Sequence, residues 1–163
     1  MGTESDILER HDIHILVVDD DDRIRDLLRK YLTRHGFRVS TAGNAAEARK
    51  LMTGLTYDLL ILDIMMPGIT GLEILSIRKQ SQFLMSIPFI ILSATSESDV
   101  KREALRMGAT DFLSKPVDPH DLTVRVQNAV TVKRHHDHLA NYAIELERQV
   151  RSRTEQLEKS REQ

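Results

Sequence analysis

The chain has 163 residues, of which 40% are hydrophobic and 29% charged, with a formal net charge of -2. That length supplies one well-buried domain of about 120 residues plus an extension, and the near-neutral balance sets up no overall field to recruit nucleic acid or an anionic membrane. The absence of cysteine removes disulfide frameworks, thiolate metal sites and thiol catalysis from consideration. No apolar run approaches the roughly 20 residues of a bilayer span, and the polar, acidic residues 1–12 lack the form of a signal peptide, so a cytoplasmic location is expected.

From His14 onward, short β-branched runs alternate with longer segments carrying apolar residues every three or four positions, the pattern of a parallel sheet covered by helices. The first run, Ile15 to Val18, is apolar throughout and predicts a strand buried on both faces. Ile24, Leu27, Leu28, Tyr31 and Leu32 then form a helical stripe that ends at Gly36, a residue suited to a left-handed helix terminus. Asp21 and Asp22 favour the start of that helix through its dipole. A second strand, Phe37 to Thr41, alternates in polarity and suits a sheet edge.

Helix starts are expected at Asn44 with Glu47, Thr70 with Glu73 and Ser96 with Asp99, each a capping side chain three residues ahead of an acid. Between them lie two further apolar runs, Leu59 to Leu62 and Phe89 to Leu92, which predict central strands, and Asp111 to Leu113 predicts a short edge strand. Asp118-Pro119 opens a fifth helix, because proline at the first helical position loses no hydrogen bond.

Beyond about Val130 glycine and proline vanish and a charge-rich helical segment runs to the end. A heptad frame places Val132, Leu139, Leu146, Arg153 and Ser160 at one seam position and His136, Ala143, Val150 and Leu157 at the other. His136, Arg153 and Ser160 are poor seam residues, so the frame describes a short, imperfect coiled coil. The expected division is a flexible N-terminal segment over 1–12, a domain over 13–132 and a helical coiled-coil linker or dimerisation segment over 133–163. His135, His136 and His138 do not make a metal site at this spacing, because residues one and two apart on a helix point away from each other.

Chemistry is predicted where carboxylates meet strand ends. Asp19 and Asp20 follow the first strand and Asp63 follows the third, and an open parallel sheet binds ligands outside the carboxyl ends of its strands. Three adjacent carboxylates repel one another, which makes sense with a hard divalent cation among them, Mg²⁺ above all. Ser93 closes the fourth strand and Lys115 follows the fifth, placing a hydroxyl and an ammonium where a phosphoryl group attached to one of the acids needs donors and opposite charge.

These residues resemble the receiver domains of two-component response regulators over about residues 13–132. The resemblance rests on Ile15-Leu16-Val17-Val18-Asp19-Asp20, on Asp63-Ile64-Met65-Met66-Pro67-Gly68 with Gly71, on Ser93-Ala94 and on Lys115-Pro116. It implies an α/β, doubly wound, flavodoxin-like fold with five parallel strands in the order 2-1-3-4-5 and, here, an extended C-terminal helix. It also implies that Asp63 accepts a phosphoryl group from a sensor histidine kinase or phosphotransfer protein. Asp20, Asp63 and the backbone carbonyl of Met65 would hold Mg²⁺, with Asp19 acting through a metal-bound water. Ser93, Phe112 and Pro116 take the family's switch positions, Pro116 after a cis bond that aims Lys115, and Phe112 lacks the hydroxyl of the tyrosine often found there. Met65 and Thr95 would flank the acceptor and tune the lifetime of its phosphoryl group.

On this reading the domain is no conventional enzyme and catalyses only its own phosphorylation and dephosphorylation. Haloacid dehalogenase-like phosphatases place a second acid two residues after the nucleophile, whereas Ile64 and Met65 follow Asp63. A pseudo-receiver without phosphorylation is a further alternative. The C-terminal segment resembles helices that join receivers to cyclic-di-GMP phosphodiesterases, diguanylate cyclases or histidine kinases. The expected partners are therefore a kinase and either a second copy, paired through this helix, or an output domain. No helix-turn-helix or other nucleic-acid reader is visible after Val132.

Overall fold

In a computed structural model of the chain, which describes residues 12–64, 66, 71–77, 86–94 and 98–162, all five expected strands are present. They are β1 (His14–Val18), β2 (Arg38–Ala42), β3 (Leu59–Asp63), β4 (Phe89–Ala94) and β5 (Asp111–Lys115). All neighbours pair in parallel, in the order β2-β1-β3-β4-β5. Every residue of β1 and β3 is buried, whereas β2 and β5 carry half-exposed positions. The continuous apolar runs are thus the central strands and the mixed runs the edges, as two-sided burial requires.

Alternation along the strands divides the core into two layers. Leu16, Val18, Leu60, Leu62 and Ile91 face α2 (Ala45–Gly54), α3 (Gly71–Ile77) and α4 (Ser98–Arg106), packing on Ala48, Ile74 and Ala104. Ile15, Val17, Ile61 and Ile90 face α1 (Asp22–Arg34) and the start of α5 (Pro119–Glu162), packing on Leu28, Leu32, Leu122 and Val126. Helices on both faces and a change of direction between β1 and β3 leave a crevice at the carboxyl ends of those strands.

Local signals in the sequence account for the helix ends. Asp21 caps α1 by accepting from Arg23 N at 2.9 Å, and the chain leaves that helix through Gly36, whose φ of 89° is the left-handed conformation glycine tolerates best. Asn44 Oδ1 accepts from Glu47 N at 2.8 Å, but Glu47 reaches back to Gly43 N at 2.8 Å where a capping box would use Asn44 N. Asn44 is fully extended, with φ -158° and ψ 171°, and the amide turned toward Glu47 is that of the preceding residue. Pro119 begins α5 and Asp118 Oδ1 accepts from His120 N at 2.9 Å. The expected caps Thr70 and Ser96 lie outside the described residues.

α5 is one unbroken helix of 44 residues, about 66 Å long at 1.5 Å per residue. Leu122, Val126, Ala129 and Val130 are buried against the sheet, whereas positions 138–161 are exposed on every side. Among the expected seam residues, Val132, Leu139, Val150 and Leu157 are 62–67% exposed. No described helix is long and apolar enough to cross a membrane.

Candidate functional site

The carboxyl ends of β1, β3, β4 and β5 bring together Asp19, Asp63, Ser93 and Lys115, as the strand-end reading predicts. Asp19 and Asp63 are buried and Asp20, one residue further along, is exposed. Carboxylate oxygens of Asp19, Asp20 and Asp63 all lie within 4.8 Å of one another. Lys115 reaches across from β5, with Nζ 3.1 Å from Asp19 Oδ2 and 3.1 Å from Asp63 Oδ2.

One ammonium thus pairs with two of the three clustered carboxylates. Burial by itself pushes the Lys115 pKa down, but the charges of Asp19 and Asp63 and the contacts with both outweigh it and raise the pKa above its ordinary 10.5. Asp19 Oδ1 accepts from Asp21 N at 2.9 Å. Its Oδ2 has charge compensation from Lys115 but no aligned hydrogen bond. A buried carboxylate oxygen with no aligned hydrogen bond among the described residues, beside two more carboxylates, belongs to a set of oxygen ligands suited to a hard cation, and Mg²⁺ fits it.

The hydroxyl of Ser93 is buried and lacks a hydrogen-bond partner among the described residues. Such a group ordinarily costs stability and calls for an explanation beyond packing. The Lys115-Pro116 bond is cis. Phe112 on β5 is half-buried, with Lys101 Nζ 4.8 Å and the Arg125 guanidinium carbon 5.7 Å from its ring centre. Arg125 is itself fixed by Asp111 at 2.5 Å and Asp121 at 2.9 Å. Ile64 and Met66 are buried, as ordinary packing predicts. Met65 and Thr95, with Pro67 and Gly68, lie outside the described residues.

One residue at this site gives no signal in the sequence. Arg25, on the first turn of α1, donates from Nη1 to the backbone carbonyl of Asp19 at 2.6 Å and pairs through Nη2 with Asp22. In the sequence it is only a polar position beside the apolar stripe of α1.

Comparison with known proteins places this geometry in a family. The family profile described as "Response regulator receiver domain" matches residues 15–127. The protein PetR of Rhodobacter capsulatus is 44% identical over 117 residues, which is 72% of this chain and 48% of that protein. The response regulator SaeR of Staphylococcus aureus is 36% identical over 124 residues, 76% of this chain and 53% of its own length. The chain therefore spans about half the length of the curated relatives it matches. Among solved structures, the chemotaxis protein CheY4 of Vibrio cholerae superposes with a TM-score of 0.67 at 32% identity, covering 72% of this chain and 98% of that one. Full-length FixJ of B. japonicum gives 0.68 at 31% identity, over 75% of this chain and 59% of that one. Together with five parallel strands in this order, three clustered aspartates and a bridging lysine, these matches show that the chain belongs to the response regulator receiver domain family.

Proposed function

We propose that Asp63 is the phosphoacceptor of a Mg²⁺-dependent switch whose donor is the phosphohistidine of a sensor kinase or phosphotransfer protein. The observation that carries this reading is Lys115 Nζ at 3.1 Å from both Asp19 and Asp63, inside a cluster of three carboxylates at the sheet's carboxyl edge. An Asp63 carboxylate oxygen forms a bond to phosphorus as the phosphorus–nitrogen bond breaks. The electron pair leaves with the imidazole, which takes up a proton. Asp20, Asp63 and the Met65 carbonyl would hold Mg²⁺, with Asp19 acting through a metal-bound water, and the ion would neutralise charge on the transferring oxygens.

Lys115 then exchanges part of its contact with the carboxylates for the phosphoryl oxygens, and the unpartnered Ser93 hydroxyl gains an acceptor. Movement of Ser93 opens space beside Phe112, whose ring leaves its place near Lys101 and Arg125 and reports by packing alone. Residues 13–132 form the switch body. The helix over 133–163 carries the change to a second copy or to an output domain, after a lead segment over 1–12, all within the cytoplasm. The exposed seam from Val132 to Leu157 supports the second copy as partner.

Incubation with Mg²⁺ and acetyl phosphate, followed by intact mass and light scattering, tests the assignment. A gain of one phosphate in the wild type and none in Asp63→Asn is expected. Equal phosphorylation of both proteins, or of neither while folded and Mg²⁺-bound, overturns it.

A further inference from the structure

Three features stand outside the chemistry described so far: the buried histidine at the amino end of the sheet, a cleft of about 200 Å³ under the root of the long helix beside Lys133 and His136, and the clasp made by Arg25. The clasp carries furthest. We infer that Arg25 is a positioning residue for the metal site, fixing the peptide between Asp19 and Asp20 from a slot that exists only because residue 43 is glycine. This deepens the proposed Mg²⁺-dependent function and rests on it.

The Asp19–Asp20 peptide is the hinge on which the exposed ligand turns. Asp19 is anchored on three sides. Its N–H donates to the Ala42 carbonyl at 3.1 Å, its carboxylate accepts from Asp21 N at 2.9 Å, and its carbonyl accepts from Arg25 Nη1 at 2.6 Å. The next residue, Asp20, is exposed, and the backbone that bears it is oriented by that carbonyl. A charge-assisted bond to a carbonyl is stronger than a neutral one, and here it decides which way the peptide plane faces. Arg25 is itself held by Asp22, and its side chain is only 20% exposed. The clasp therefore ties helix α1, the acidic turn and the end of β2 into one unit.

Gly43 supplies the room. Its φ is not in the left-handed region, so backbone conformation does not demand glycine there. A Cβ at that position would stand 2.7 Å from Arg25 Nη1 and 3.3 Å from its guanidinium carbon. Alanine fits only if the guanidinium moves away. Because the obstacle is the tip of a flexible side chain, Gly43→Ala evicts the clasp while leaving the fold intact, and thereby reproduces the loss of Arg25 without altering it.

The test is Mg²⁺ binding by calorimetry to the wild type, Arg25→Met, Arg25→Lys, Gly43→Ala and the Arg25→Met/Gly43→Ala pair, with thermal midpoints in EDTA to establish folding. Residues that orient metal ligands typically contribute about 10- to 100-fold in affinity. A loss of about tenfold is expected for Arg25→Met and for Gly43→Ala, with no further loss in the double variant, since both remove one interaction. Arg25→Lys recovers a large part of the affinity. A general loss of stability would move the midpoints without producing this lack of additivity or the rescue by lysine. Unchanged binding in Arg25→Met, or additive losses in the pair, overturns the inference while wild-type binding still upholds the metal site. Absence of Mg²⁺ binding by the wild type overturns the metal reading and this inference with it.

Discussion

The two ends of the sheet solve the same problem in opposite ways. At the amino end, His14 N donates to Asp58 Oδ2 at 2.9 Å, Asp58 N donates to the His14 carbonyl at 2.8 Å, and the His14 ring bonds Ser40 Oγ at 2.7 Å. The imidazole also packs on Tyr57, with ring centres 4.4 Å apart. At the carboxyl end, two of three clustered carboxylates share Lys115, and the Ser93 hydroxyl goes without a partner among the described residues. At the first end His14 is held by reciprocal bonds, although the buried Tyr57 hydroxyl beside it lacks a partner among the described residues. The other is left incomplete, and its deficits match what a cation and a phosphoryl group supply. Buried polar groups without a partner thus occur at both ends among the described residues, and what sets the carboxyl end apart is that its two lie beside a cluster of three carboxylates.

The contrast can be broken most forcefully with the metal. At a free Mg²⁺ concentration of 100 times the dissociation constant, wild-type stability should rise by about 2.7 kcal/mol. Urea denaturation with and without Mg²⁺ measures it, and Asp20→Asn should gain far less. At the amino end, Asp58→Ala removes the acceptor of a backbone N–H on β1 and should cost about 2 kcal/mol with or without Mg²⁺. Ser40→Ala, which deletes one side-chain bond, should cost about 1 kcal/mol by the same measurement. Asp20→Asn should show the opposite sign in EDTA, raising stability by about 0.5 kcal/mol because it relieves repulsion in a solvent-exposed position.

Proton linkage separates the ends as well. The His14 pKa is lowered from 6.5, chiefly by burial and then by Arg38, against the opposing pull of Asp58. Its folded value lies below its unfolded one, so the neutral ring's contribution is intact above about pH 6.5 and is lost as pH falls toward the folded value. Lys115 behaves inversely. Its raised pKa gives a contribution complete below about pH 10.5 and lost as pH rises through the folded value. Denaturation profiles of His14→Gln and Lys115→Met should converge on the wild type at opposite extremes of pH.

What the sequence makes legible follows from which interactions are periodic or terminal. The buried runs at Ile15, Leu59 and Phe89 declare central strands because two-sided burial needs unbroken apolarity, and acids placed at their ends inherit a location from the fold. Gly36 and Pro119 are legible for the same reason: each has few conformations to offer. The Arg25 clasp is not, since its acceptor is a backbone carbonyl that every residue possesses, and the His14–Asp58–Ser40 set is not, since it joins residues 26 and 44 positions apart. Nor does the heptad frame foresee that Lys133, counted among linker residues, would have a side chain only 10% exposed and be paired with Asp137 at 2.5 Å. Local packing at the helix root settles that.

The unbroken run of α5 gives the molecule a lever arm. No proline or glycine interrupts the helix after Pro119, and its last 25 or so residues project about 37 Å from the body. Tilting such a rod by about 7° at its root displaces its tip by about 4.5 Å, close to the separation of neighbouring strands. A rearrangement too small to disturb the core around Leu122 and Val126 therefore arrives at the far end as a shift large enough to change what that end can touch.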